Sequence, residues 1–243
     1  MKLLPAPIQD IWVYLAASPL LGLTITLLAY MLAMALHRRC RMHPLTNPVL
    51  VATALLVTLL LLTDTPYTTY FAGAQFVHFL LGPATVALAI PLYAQLGKVR
   101  AMRWPVLLGL GVGSACAVAS AVGIAHWLGA SGPTQLSLAP KSVTTPIAMG
   151  VAERIGGIAS LTAVLVIVTG IVGAVLAPPL FRWLRIQDHA IQGFALGVVA
   201  HGIGTARAFA ISEQAGAFAA LAMGLNGTLT ALLLPALVLL WGG

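Results

Sequence analysis

The sequence predicts an all-α integral membrane protein with about six to eight transmembrane helices, two segments of which are broken or re-entrant. Three observations carry the prediction. Of 243 residues only 7% are charged and 60% are apolar, whereas a soluble domain carries about 25% charged residues. Apolar runs near the ~20 residues that cross a bilayer core follow one another with short loops between. Two stretches, near 137–156 and 193–212, are too broken for lipid-facing spans yet have apolar flanks. No stretch of mixed polarity is long enough for a separate soluble domain. The composition also excludes disordered, collagenous and disulfide-scaffold classes.

The first apolar run extends from about Ile11 to Leu36 and closes on His37, Arg38, Arg39, Cys40 and Arg41. It is too long for a cleavable signal peptide, so it is expected to remain a span. The second, Pro48 to Leu62, ends at the turn signal Asp64-Thr65-Pro66. A third runs from Phe71 to Leu96, with a kink expected at Leu81 to Thr85, and a fourth from Pro105 to Leu128. After the broken stretch around Ser137 to Pro146 comes a clear span, Ile158 to Leu180. Gly193 to Ile211 is interrupted around His201 to Arg207, and Ala215 to Trp241 closes the chain. The expected organisation is one membrane domain, with residues 1–69 as scaffold spans and 70–243 as a core that holds the broken segments.

Net charge is +7, from twelve basic and five acidic residues. The bases gather in short loops: Arg38, Arg39 and Arg41; Lys98, Arg100 and Arg103; Arg182 and Arg185. That is the positive-inside pattern, and no nucleic-acid partner is expected. It places the N-terminus outside. Were Pro140 to Gly156 a full crossing, the Arg182/Arg185 loop would fall outside. The rule therefore favours a segment that dips in from outside and returns, and a His201 segment that dips from the cytoplasm. Cys40 and Cys116 suggest no disulfide framework. His37, His43, His78 and His126 show no metal-ligand spacing. Gly109, Gly111 and Gly113 read as helix packing, since no strand precedes them.

A repeat pairs the broken stretches. A shift of 60 residues brings Thr145, Ala148, Glu153, Gly156, Ala159 and Leu161 onto Thr205, Ala208, Glu213, Gly216, Ala219 and Leu221, with Lys141 opposite His201. A weaker shift of 57 pairs Leu81, Pro83, Thr85 and Val86 with Leu138, Pro140, Ser142 and Val143. Units of one dip and one span would have opposite topology, as in the inverted repeats of secondary transporters.

Lys141, Ser142, Thr144 and Thr145 sit between Pro140 and Pro146. Irregular backbone at membrane depth needs protein or a water-filled cavity around it, and an ionisable group there is a site candidate. The plain alternative for Lys141 is an interfacial snorkelling lysine. Arg207 offers a planar fork to a carboxylate, or it pairs with Glu153 or Glu213. His201 is a hydrogen-bonded interior residue or a proton carrier. Glu153 and Glu213 are interfacial charges or, with His201, the candidates for proton or Na+ coupling. Thr205 adds a hydroxyl, and Asn226 bonds backbone or substrate. Lysine, arginine and clustered hydroxyls near helix N-termini suit a small anion. No cofactor is expected. No nucleophile–base set stands out, so an enzyme is not expected.

Several strings resemble the LrgB/CidB family: Gly82 to Tyr93, Ser137-Leu-Ala-Pro-Lys-Ser-Val-Thr-Thr-Pro-Ile-Ala148, His201-Gly-Ile-Gly-Thr-Ala-Arg207 and Gly216 to Gly227. The resemblance covers about Pro19 to Pro235, and the Ala-Pro-Lys-Ser-Val-Thr-Thr-Pro string is its most specific part. It implies two functions. One is a secondary transporter of glycolate, glycerate, pyruvate or similar small carboxylates, working by alternating access. The other is an antiholin-like regulator of murein hydrolase export and cell lysis, acting as or on a pore. The resemblance further implies kinship with the cation:proton antiporter and anion transporter superfamily. It also implies a bacterial inner-membrane location and a small LrgA/CidA-type membrane partner. A homodimer is a further expectation.

Overall fold

In the computed structural model the described residues are 19–40, 46–79, 83 and 86–241. Among them every regular element is a helix: α1 (Pro19–Arg39), α2 (Pro48–Leu62), α3 (Tyr67–Phe79), α4 (Ala89–Ala94), α5 (Leu96–Ala101), α6 (Arg103–Trp127), α7 (Gly132–Leu138), α8 (Thr145–Ile155), α9 (Ala159–Trp183), α10 (His189–Phe209) and α11 (Glu213–Trp241). Two compact units divide the chain, Met1–Ala87 and Leu88–Gly243.

In the first unit α2 starts where the sequence supplies both a cap and a proline. Asn47 Oδ1 accepts from the Val49 and Leu50 amides at 2.9 and 3.4 Å, and Pro48 opens the helix. The helix stops at Thr63, and Asp64 adopts a left-handed φ of 49°, as the turn signal predicts. Small residues set the helix spacing. Ala29 and Ala33 of α1 pack on Ala52 of α2. A Cβ on Gly22 would lie 2.7 Å from the Tyr70 carbonyl of α3, beside the Thr26–Tyr70 hydroxyl contact of 2.7 Å. Apolar area alone gives little preference for helix over lipid, so close approach has to supply the contact.

Among the described residues four helices are long and apolar enough to cross a membrane: α1, α6, α9 and α11. α2 is apolar but only 15 residues long. Four is fewer than the six to eight predicted, and the short α2 accounts for one of the expected spans. The expected span from Phe71 to Leu96 is not one helix, since helical structure is interrupted at Leu88 and again at Gln95, on either side of a helix of six residues. Its expected kink falls outside the described residues, Pro83 excepted. The second shortfall, from the upper figure of eight to six, arises because neither broken segment crosses, as the charge pattern favours.

That second point follows from the register of contacts in the second unit. Val106 of α6 packs with Ala190 and Phe218, and Leu110 packs with Val198 and Ala222. Gly193 and Gly197 lie so close to the Ala215 and Ala219 carbonyls that a Cβ on either would collide with them. Residue numbers rise together in these pairs, so α6, the first arm of α10 and the start of α11 run parallel. To enter α11 at the level of Gly193, the chain must come back after Val199. It does so through a second arm from Gly202 to Phe209. Gly204 returns against Leu196, and Ala208 joins Leu196, Phe181 and Ala215 in one cluster. α10 is therefore a re-entrant hairpin entering from the end that carries Arg103, Arg182 and Arg185.

α7, residues 139–144 and α8 form the other hairpin, from the opposite end. Its two feet are laced together. Ser137 Oγ accepts from the Ile158 amide at 2.7 Å, and Thr162 Oγ1 donates to the Ser137 carbonyl at 3.0 Å. Its far part, Val143 and Ala148, packs on Val166 near the middle of α9. α11 serves both hairpins, the second through Ala215 and Ala219 and the first through Ala231, Leu234 and Val238. The outward surfaces carry large apolar side chains such as Leu232, Leu239 and Leu240. Trp104 and Trp183 mark one end and Trp127 the other, as interfacial aromatics do. This is a multi-pass membrane protein.

Candidate functional site

The two hairpin tips meet at the middle of α6, α9 and α11. The first tip exists because the sequence prevents a helix from continuing. Pro140 and Pro146 remove amide donors on either side of Lys141 to Thr145. Lys141 and Val143 amides make turns onto the Leu138 and Pro140 carbonyls at 3.2 Å each. α8 then starts with Thr144 at its cap position, where the side chain makes no capping bond. Thr144, Thr145 and Lys141 are half-buried. Ser142 is buried, and its Oγ has no hydrogen-bond partner among the described residues.

The second tip is a backbone break inside α10. Ala200 has φ −121° and ψ 15°, and His201 has φ 41° and ψ −130°. Only glycine enters the His201 region without strain. Three features hold the break in place. His201 Nε2 lies 3.0 Å from the Val166 carbonyl of α9. Gly170 makes room for the ring, since a Cβ there would stand 2.8 Å from Nε2. Thr205 Oγ1 donates to the His201 carbonyl at 2.9 Å. The Thr205 hydroxyl hydrogen is thus committed to the backbone.

Asn226, at mid-length of α11 and 2% exposed, ties the tips together. Its Nδ2 donates to the Val198 carbonyl at 2.9 Å, at the end of the first arm of α10, and to the Ser142 carbonyl at 3.4 Å in the other tip. Its Oδ1 accepts from Ser114 Oγ of α6 at 2.6 Å. One amide therefore joins both broken segments to two spanning helices. Broken helices expose carbonyls that lipid cannot satisfy, and an interior primary amide supplies donors without introducing charge.

The remaining predicted residues lie away from this junction. Arg207 is half-buried on the return arm, six residues past the break. It forms no ion pair with Glu153 or Glu213: the Lys98–Asp188 pair at 3.1 Å is the one found among the described residues. Glu153 and Glu213 are both exposed, in the last turn of α8 and at the first residue of α11. Glu213 is roughly 20 Å from Asn226 along the helix, by the rise per residue. Cys40 and Cys116 are free thiols.

Three residues escaped the sequence reading. Ser114 and Gly170 lie in apolar helices whose small residues all look alike. Asp188 had a readable signal, an aspartate directly before a helix. Its Oδ1 accepts from the Ala190 and Ile191 amides at 2.7 and 3.3 Å, which caps the first arm of α10. Desolvation raises the Asp188 pKa. The Lys98 hydrogen bond, the two amides and the Lys98 charge outweigh it, so the carboxyl sits below its ordinary value.

Such an arrangement defines a helical multi-pass membrane protein with two re-entrant hairpins meeting at a polar junction. Residues 26–240 match the LrgB-like family, and the chain belongs to that family. It is 40% identical over 220 residues to "Uncharacterized protein YwbG" of Bacillus subtilis (strain 168), covering 90% of this chain and 97% of that protein. It is 35% identical over 226 residues to "Uncharacterized protein YxaC" of the same organism, covering 93% and 98%. "Antiholin-like protein LrgB" of Bacillus mycoides (strain KBAB4) is 30% identical over 218 residues, covering 90% and 95%. No solved structure matches the chain.

Proposed function

We propose that this chain is a secondary carrier of small carboxylates, such as glycolate, glycerate or pyruvate, working by alternating access in a bacterial inner membrane. One observation carries the reading. Two broken segments reach mid-depth from opposite ends and meet at Asn226, next to a lysine and a hydroxyl that have, among the described residues, no acidic partner and no partner respectively. Such a junction suits a small anion better than it suits the wall of a wide pore. Lys141 would neutralise the carboxylate, with Ser142, Thr144 and Thr145 as hydroxyl ligands. Arg207 would act from the return arm, and Thr205 through its lone pairs. His201 stands at the junction and is the better coupling candidate. Glu153 and Glu213, at the hairpin feet, would see coupling ions only on entry or exit.

The 60-residue shift supports an inverted repeat. It aligns tip with tip (Lys141 on His201), return arm with return arm (Thr145 on Thr205) and α9 with α11. On this reading residues 70–243 include the transport core, residues 1–69 serve as scaffold, and the N-terminus lies outside. The working unit would be a homodimer, with or without a small LrgA/CidA-type partner.

The antiholin-like name that some relatives carry favours a second reading, which we take as a regulator of murein hydrolase export and lysis, acting as or on a pore. On the comparisons alone it stands ahead of any specific carboxylate. Reconstitution in liposomes separates the two. Saturable uptake of labelled glycolate or pyruvate, lost in Lys141→Ala, supports the carrier. Equal leakage of unrelated solutes, indifferent to Lys141→Ala, supports the pore regulator and rejects the carrier.

A further inference from the structure

We propose that the Ser142 hydroxyl is the hydrogen-bond donor that reads a carboxylate oxygen of the carried anion, and that the empty protein holds it without a partner. The inference rests on the carrier reading and deepens it to a single donor. Ser142 is only 7% exposed, and its Oγ is the one buried side-chain polar atom left unpartnered among the described residues. Thr144 and Thr145 in the same tip are only half-buried, and four other interior hydroxyls are committed. Ser137 donates to the Pro133 carbonyl, Thr162 to Ser137, Thr205 to His201 and Ser114 to Asn226.

A serine or threonine in a membrane helix usually donates to the carbonyl four residues back, as Thr26, Thr63 and Ser137 do. Ser142 follows a break instead of a helical turn. The Leu138 carbonyl, four residues back, is bonded by the Lys141 amide in a tight turn and not by the Ser142 amide, so the helical geometry that serves Thr26 and Ser137 is missing here. The same break that admits a ligand therefore denies Ser142 a protein partner. An unmet buried donor disfavours the empty state, and a ligand oxygen relieves it. A carboxylate gains twice, because a bond to an ionised acceptor is about twice as strong as a neutral one and the Lys141 ammonium belongs to the adjacent residue. This makes Ser142 a specificity determinant for oxyanions.

The test uses the full chain, in detergent for thermal stability and in liposomes for uptake of labelled pyruvate. Ser142→Ala should raise the melting temperature of the ligand-free protein by about 2–4 °C, as removal of a modest penalty does in a chain of this size. It should also raise KM for uptake about tenfold with little change in maximal rate. Ser142→Thr, which keeps the hydroxyl, should restore KM. A Ser142→Ala protein that melts lower, or that transports with unchanged KM beside an active wild type, overturns the Ser142 assignment and leaves the carrier reading standing. A wild type with no saturable uptake overturns both.

Discussion

Replacing Asn226 with alanine removes three hydrogen bonds at once, and the structure says which should matter. The bond to the Val198 carbonyl is short at 2.9 Å and buried. At 3.4 Å, the bond to Ser142 is near the limit of a hydrogen bond. Ser114 is half-buried and can turn its hydroxyl back onto its own helix, as Thr26 does. Membrane hydrogen bonds average about 0.6 kcal/mol, so three ordinary bonds give a floor near 2 kcal/mol. Leaving the Val198 carbonyl buried and unpaired adds up to ~2 kcal/mol more. The expected loss is about 2–4 kcal/mol, read as reversible unfolding in mixed micelles under increasing denaturing detergent. Ser114→Ala alone should cost about 1 kcal/mol, and the double variant should show a coupling near that size. Asn226→Asp should be worse than Asn226→Ala, because an ionised carboxylate donates nothing and faces two carbonyls. A loss under ~0.5 kcal/mol for Asn226→Ala would refute the idea that one amide fastens the tips.

Two further expectations concern the second hairpin. His201→Gly relieves the strained backbone, about 1–2 kcal/mol, while losing the Val166 contact. His201→Ala loses the contact and keeps the strain. The glycine variant should therefore melt higher than the alanine variant, and the reverse order would show that φ 41° is not held under strain. At the hairpin foot, Asp188→Ala should cost about 1 kcal/mol as a lost helix cap. The exposed Lys98 pair should add little, and less at high salt. Because the folded Asp188 pKa lies below the ordinary value of 3.8, its contribution is complete at neutral pH. It fades only as pH falls through the folded value. Wild type and Asp188→Ala should thus differ equally at pH 6 and pH 8 and converge in strong acid. A gap that widened in acid would reverse the sign of the argument.

The spanning helices were legible because length and apolarity decide them. Pro48 to Leu62 matches α2, and Pro105 to Leu128, Ile158 to Leu180 and Ala215 to Trp241 match α6, α9 and α11 to within a few residues. The breaks were legible too, from Pro140, Pro146 and the glycines around His201. Their return within the membrane was readable only through the charge of Arg182 and Arg185, because a hairpin and a crossing can share one hydropathy profile. What the sequence concealed is pairing across space. Nothing local marks Ser114 or Val166 as partners of Asn226 and His201, over 112 and 35 residues of chain respectively. Thr145 and Thr205 match in sequence, yet Thr205 serves the backbone while Thr145 shows no such bond.

The position of Asn226 in the chain bears on biogenesis. Ribosomes deliver the first tip, then the second, and only afterwards the residue that donates to both. An emerging polypeptide that has reached Phe209 carries two unfinished hairpins, with the carbonyls of Ser142 and Val198 still lacking the amide that satisfies them. α7 is seven residues long, and the return arm of α10 is of similar length, far short of the ~20 that insert unaided. They need neighbouring helices, or a chaperoning water-filled channel, until α11 arrives. If the helices insert in chain order, the first two long helices of the second unit set a frame and the third closes it.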